Sequence, residues 1–238
     1  MDQRNAKAEP LAFPRSVFIR MAGVRGVMAG SVMSIVTLTL NPAIDVASEV
    51  NGVRPNHKTR TVNERIDPGG GGINVANMIQ RLGGDVLAVV LAGGVTGRYL
   101  QELLDEEGLH WRAVPIAGRI RMCTTVLDRV DGTEYRFVPE GPVVSEAEWR
   151  AALALVEALP WAWLVASGSL PRGVPTDFYS FVAKLAARRG GRFVLDTSGA
   201  ALRAALGSGL ALIKPSLSEL EFLAGKTLRG RDVQAAAG

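Results

Sequence analysis

Four consecutive glycines, Gly69 to Gly72, run without a break into an apolar helical pattern in the stretch DPGGGGINVAN, Asp67 to Asn77. A loop that feeds a helix start in this way leaves few options. Glycines without Cβ allow positive φ and let another group come up against bare backbone. Val75, Ile79 and Leu82 recur at i, i+4 and i+7, which predicts one buried helix face, and Gly83-Gly84 ends it. The first-turn amides then face the loop, where a hydroxyl-rich or anionic ligand can accept from them. Asn74 adds a side-chain donor and acceptor at the same mouth. A flexible linker is the competing reading, and the helix that follows at once argues against it.

The 238 residues suffice for one large domain with a substantial core, and 21% charged residues with many aliphatics fit a globular chain. The net charge of +4 is spread thinly, with no basic run interleaved with aromatics, so no nucleic-acid partner is expected. Cys123 is the single cysteine, which excludes an internal disulfide and fits the cytoplasm. It lies in a strand-like run and reads as a packed residue. His57 and His110 are isolated, so neither a zinc cluster nor a Ser/His triad is in view.

Residues 1–33 read as a leader, basic and without period, either disordered or preceding a true start at Met33. The uncharged run from Gly26 to Leu40 is too short to span a membrane and has no cleavage signal, so no membrane association is expected. Ser34 to Leu40 predicts a buried strand stopped by Asn41-Pro42, with Asp45 beyond its end, where α/β sheets gather ligands. A plain turn aspartate is the alternative. Residues 46–66 and 120–139 read as β excursions turning at Asn51-Gly52 and Asp131-Gly132.

Between the excursions, Val86 to Leu91 reads as a second core strand and Arg98 to Glu107 as a helix. After them comes regular alternation. Helices are expected at Ser145–Leu159, opened by a Ser145/Glu148 capping box, and at Thr176–Arg189, Ala200–Leu206 and Ser216–Leu223. Strands are expected at Trp161–Ala166, Arg192–Leu195 and Leu210–Ile213. This rhythm predicts an α/β fold with a mostly parallel sheet covered on both faces, and the two excursions form a small β lid.

TLTLNPAID, PGGGGINVA, LGG, AGGVTG, EYRFV, SGSLP, D-x-SG and KPSLSEL, in this order, resemble the phosphofructokinase B family of ribokinase-like carbohydrate kinases. The likeness runs from about Ser34 to the end and is closest to the 6-phosphofructokinase and hexose-phosphate kinase branch. It implies a ribokinase-like three-layer sandwich over 34–238 with a β-sheet lid, and transfer of the ATP γ-phosphoryl group to the C1 hydroxyl of fructose 6-phosphate in glycolysis. Asp45, Gly70, Gly71 and Asn74 would hold sugar hydroxyls. Lys58, Arg121 and Ser169 would hold the sugar's phosphate, while Lys214, Ser216 and Glu219 would face ATP, with Glu219 reaching Mg2+ through water. A homodimer through the lid is also implied.

Two departures accompany the resemblance. Ser216 stands where the family usually has asparagine, although S-x-x-E still caps a helix. The family's Gly-Ala-Gly-Asp element, which carries the anion hole and the catalytic base, does not occur in these residues, and the resemblance places it beyond Gly238. The expectation from that is a C-terminally truncated kinase with no catalytic base of its own and little turnover alone. Competing readings are a 1-phosphofructokinase, a tagatose-6-phosphate kinase, a nucleoside kinase, or a non-catalytic sugar-phosphate-binding or dimerising remnant. A dinucleotide-binding oxidoreductase fits poorly, because the glycines lack G-x-G-x-x-G spacing.

Overall fold

The structure is a computed structural model that describes residues 35–229. The expected leader lies outside them, as does Gly238, beyond which the catalytic base is expected. The chain starts with β1 (Ile35–Thr39), leaves for a hairpin of β2 (Ala43–Val50) and β3 (Val62–Gly69), and returns through α1 (Gly71–Arg81) to β4 (Val86–Ala92). Then come α2 (Gly94–Glu106), β5 (Trp111–Pro115) and a second hairpin, β6 (Arg121–Asp128) and β7 (Glu134–Phe137). The remainder alternates: α3 (Glu146–Ala158), β8 (Trp163–Ser167), α4 (Phe178–Arg188), β9 (Arg192–Asp196), α5 (Gly199–Ala205), β10 (Leu212–Ile213) and α6 (Leu217–Ala224).

Six strands form one sheet in the order β10-β9-β8-β1-β4-β5, and every pairing is parallel. β1 lies at its centre. Val36, Leu38, Thr37 and Thr39 are all buried although alternate residues point to opposite faces, and β4 is buried along its whole length. Both faces are therefore covered, the condition under which near-continuous apolar strands are stable in water. The α/β fold and the parallel sheet are as the residue pattern led one to expect.

The lid is a separate four-stranded sheet, β3-β2-β6-β7, antiparallel within each hairpin and parallel where β2 meets β6. Ile44, Val46 and Ile66 pack against the core. Asp45 falls between them in sequence, so strand alternation turns it to the other face. It shares a cross-strand row with Asp67 and Cys123. Asp45 thus sits inside a lid strand, not in a turn after β1, because the bend at Leu40-Asn41 is followed almost at once by new pairing.

Four further expectations need correction. The lid segments extend to 43–69, since pairing continues down to Ala43 and Gly69. Helix α2 begins at Gly94, because the AGGVTG run contributes its first turn and is not only a strand end. β5 went unread; it is a short edge strand with Val114 as its buried apolar residue, too little pattern to signal a strand. The buried stripe of α1 is Gly72, Ile73 and Ala76, whereas Leu82 is 79% exposed. Close seating explains the last point: Gly72 lies against the Thr39 side chain and the Leu38 carbonyl, so α1 meets the sheet along its Gly72, Ile73 and Ala76 face. The capping box at Ser145 and Glu148 is present as expected.

One carboxylate organises the far end of the lid. Asp128 is buried, and its oxygens accept from the backbone N–H groups of Gly52 at 3.1 Å, Val53 at 2.8 Å and Val130 at 2.9 Å. The Val130 and Val53 amides, then that of Gly52, hold its pKa below the usual aspartate range. A carboxylate lowered in the folded state contributes stability above the unfolded aspartate pKa and loses it as pH falls through the folded value. Asp128→Asn should therefore melt below wild type at neutral pH, with the gap closing as pH falls below about 4. Thermal melts across that range check this; a gap that stays constant would remove the charge from the account.

Candidate active site

The glycine run lies where the lid joins the sheet. Gly69 ends β3 with its Cα against the Asp45 carboxylate, so any side chain there would occupy the space of the carboxylate. Gly70, at φ 127°, precedes α1 as its N-cap and rests on Thr39 and Pro42. Gly71 abuts the Ser167 hydroxyl at the end of β8. The expected neighbours Asp45, Gly70 and Gly71 are thus gathered at one corner. Asn74, on the first turn of α1, is exposed.

Asp45 is half-buried. Desolvation raises its pKa above the ordinary aspartate value, and the Arg121 charge opposes that rise. Asp67 adds to it, while Arg136 and the Cys123 thiol counter it. Cys123 is a partly buried strand residue of β6, and pairing with β2 places it in the Asp45 row.

Arg121 opens β6 and is held by its ends. Its Nη1 donates to the Pro139 carbonyl at 3.0 Å and its Nη2 to the Asn41 carbonyl at 3.1 Å. Its Nε–H is buried and has no acceptor among the described residues. Such a donor is costly when left unpaired, and it is well matched to an incoming anion. Asn41 links Arg121 to Ser169, because its Nδ2 donates to Ser169 Oγ at 3.1 Å. Arg121 and Ser169 are therefore joined through one residue. Lys58 is not. It lies in the exposed loop between β2 and β3, beyond Val50, and five strand residues already separate Val50 from Asp45 by roughly 16 Å.

A second line of contacts leads away from Gly71. Ser167 Oγ donates to Asp196 Oδ2 at 3.0 Å, and Lys214 Nζ lies 3.2 Å from Asp196 Oδ1. Lys214 thus stands at the ends of β9 and β10, tied through two side chains to the glycine corner. Ser216 and Glu219 form a complete capping box on α6: the Glu219 N–H donates to Ser216 Oγ at 3.3 Å, and the Ser216 N–H donates to Glu219 Oε2 at 2.7 Å. One Glu219 oxygen is therefore already engaged. Among the described residues no group of three His, Cys, Asp or Glu could hold a metal ion. The acceptor-activating base is assigned to none of the residues of this corner; the position expected for it, past Gly238, lies outside the described residues.

Residues 33–238 match the model of the pfkB family carbohydrate kinases. The chain belongs to the pfkB family. It is 43% identical over 205 residues to a Mycobacterium tuberculosis protein named ATP-dependent 6-phosphofructokinase isozyme 2, covering 85% of this chain and 60% of that relative's length. It is 39% identical over 206 residues to the Escherichia coli protein of the same name, covering 85% of this chain and 67% of the relative. A crystal structure of E. coli phosphofructokinase-2 in complex with fructose-6-phosphate superposes with a TM-score of 0.81 at 37% identity, covering 86% of this chain and 69% of that one. The chain thus spans about three fifths of the length of the mycobacterial relative.

Sequence reading missed Asn41, Ser167, Asp196 and Arg136 as members of this corner. Each was on view inside a quoted motif: NPAID, SGSLP, D-x-SG and EYRFV. What was lacking was the pairing that orients them. The corner's tightness gives a test. Gly71→Ala drives a methyl into Ser167 and disturbs its bond to Asp196, so it should destabilise by about 1–3 kcal/mol. Denaturant unfolding measures this, and an unchanged midpoint would show that the corner yields freely.

Proposed function

We propose that the whole protein is an ATP-dependent 6-phosphofructokinase, which phosphorylates the C1 hydroxyl of fructose 6-phosphate. The observation that carries the reading is the unpaired, buried Arg121 Nε–H, next to Asp45 and one residue's reach from Ser169. A neutral polyol has no strong need of that donor. A phosphate monoester does, and guanidinium matches it in shape. The names of the mycobacterial and E. coli relatives support the same substrate.

In this reading the Asp45 carboxylate and the backbone at Gly70 and Gly71 take the sugar hydroxyls, with Asn74 at their edge. Arg121, Ser169 and Arg136 take the phosphate. Lys214 meets the ATP phosphates beside the α6 N-terminus, where Ser216 and the first-turn amides add donors. The residues present fit Mg2+ as a passenger on the nucleotide, with Glu219's second oxygen contacting it through water. When bound, the ion neutralises charge on the phosphates being transferred. Phosphoryl transfer depends mainly on such positioning and neutralisation, which is why so few side chains of this corner need any chemistry of their own.

Lys58 enters from a second subunit. Its distance from the Asp45 of its own chain leaves it a phosphate role only across paired lids, so a homodimer through the lid goes with this reading. No helix among the described residues is long and apolar enough to cross a membrane, and the cytoplasm, where hexose phosphates occur, is the proposed location.

Calorimetric titration of the chain with fructose 6-phosphate and with fructose tests the reading. Fructose 6-phosphate should bind, and Arg121→Ala should weaken it about 10–100-fold, the range for a lost bond to a charged group. Fructose should bind Arg121→Ala as it binds wild type. Equal loss on both sugars would take Arg121 off the phosphate, and no binding of fructose 6-phosphate would end the assignment.

Acidity supplies a second check. Binding should fall on the acid side as Asp45 takes up a proton. Removing the Arg121 charge lets burial raise the Asp45 pKa further. The acid limb of Arg121→Ala should therefore lie at higher pH than that of wild type, which titrations between about pH 4 and pH 8 would reveal. A limb that does not move would detach Asp45 from Arg121.

A further inference from the structure

We infer that Asn41 is a positioning residue that fixes the gap between the lid and the main sheet at the phosphate end of the site. This inference rests on the sugar-phosphate reading above. Asn41 is 4% exposed and joins three separate segments. Its carbonyl accepts from Arg121 Nη2 at 3.1 Å, at the start of lid strand β6. Its Nδ2 donates to Ser169 Oγ at 3.1 Å, in the loop after β8, and to the Glu140 carbonyl at 3.2 Å, in the strap from β7 to α3. Two of the groups assigned to the phosphate, Arg121 from the lid and Ser169 from the loop after β8, are thus each one hydrogen bond from the same residue.

The surroundings leave this residue little freedom. Pro42 follows, which holds Asn41 to extended backbone and so fixes where its side chain leaves the chain. The strap is closed over it from outside: Arg121 Nη1 donates to the Pro139 carbonyl, Arg172 Nη2 to the Gly141 carbonyl at 3.3 Å, and the Val144 N–H to the Arg172 carbonyl at 2.8 Å. Gly141, at φ 91°, lies against the Asn41 amide oxygen, so a Cβ there would collide with it.

The amide itself is required. Its NH2 serves two acceptors at once, and the Glu140 carbonyl decides which way it points. A carboxylate in its place has no donor and would face the Glu140 carbonyl with oxygen against oxygen. Asn41 need not touch the sugar to matter, since a shift of about 1 Å between positioning groups already costs a large factor in rate or affinity.

The test uses Asn41→Ala and Asn41→Asp, with Gly141→Ala pressing on the same amide from the strap side. Hydrogen exchange is measured first, without ligand. Each variant should speed exchange in segments 139–144 and 168–170 and leave α4 as in wild type. Unchanged exchange in those two segments overturns the proposal whether or not any sugar binds. Affinity for fructose 6-phosphate comes second. Asn41→Ala should weaken it about 5–100-fold, the range for buried hydrogen-bonding groups left unpaired. In an Arg121→Ala, Ser169→Ala background the same change should cost less than about twofold, because the groups Asn41 aligns are gone. A full loss in that background would mean that Asn41 acts by another route, and the positioning role would fall. If wild type does not bind fructose 6-phosphate, the functional reading fails and exchange alone judges the clamp.

Discussion

The architecture depends on how closely the glycine run approaches the central strands. Gly70 touches Thr39, Gly71 touches Ser167, and Gly72 touches both Thr39 and the Leu38 carbonyl. No residue with a side chain could take those positions without moving β1, β8 or α1. The contact does three things together. It seats α1 on β1, it places the first-turn amides of α1 at the carboxyl ends of the strands, and it holds Gly69 where the Asp45 carboxylate can fold over it. The lid, the sheet and the helix therefore meet at one point.

Division of labour follows from that junction. The sheet is buried on both faces and rigid, since truncating a side chain such as Leu38 would cost about 2–5 kcal/mol. The lid is a single layer of four strands with an exposed loop at its far end. Ile44, Val46 and Ile66 pack it onto the core, and Arg121 and Asn41 add specific hydrogen bonds at the side facing Ser169. A layer fastened partly by hydrogen bonds can shift by small amounts where a fully packed core cannot. Groups that must meet a ligand from opposite directions are well placed on two such layers.

How much of this was legible in the sequence differs by kind of signal. Strand and helix identity along 145–224 came through, because parallel strands buried on both faces leave continuous apolar runs and capping boxes mark the starts of α3 and α6. Edge elements did not: β5 buries one face weakly, and α2 begins in glycines that look like loop. The α1 face was misread for a related reason. Leu82 continues the apolar spacing, yet the helix turns Gly72, Ile73 and Ala76 to the sheet and leaves Val75 and Ile79 partly buried, since the close approach of Gly72 to β1 sets which face turns inward. In the site, residue types announced themselves and partnerships did not. Asp45, Arg121 and Ser169 were named from motifs, but Asn41, which joins the last two, acts through a carbonyl and an amide whose directions exist only in three dimensions.

The capping box on α6 separates two effects of Ser216 that a sequence comparison would merge. Serine and asparagine cap a helix about equally well, so the choice between them has little bearing on α6 stability. The box is complete with serine, and Glu219 is held with one oxygen on the Ser216 amide. What serine lacks is reach and the second polar atom of an amide, and both matter only to something in front of the helix. On the proposed kinase reading, any consequence of Ser216 should therefore be felt in nucleotide affinity with folding unaltered. That is the opposite of Gly71, where the same corner is constrained by packing and a change would be felt first in the fold.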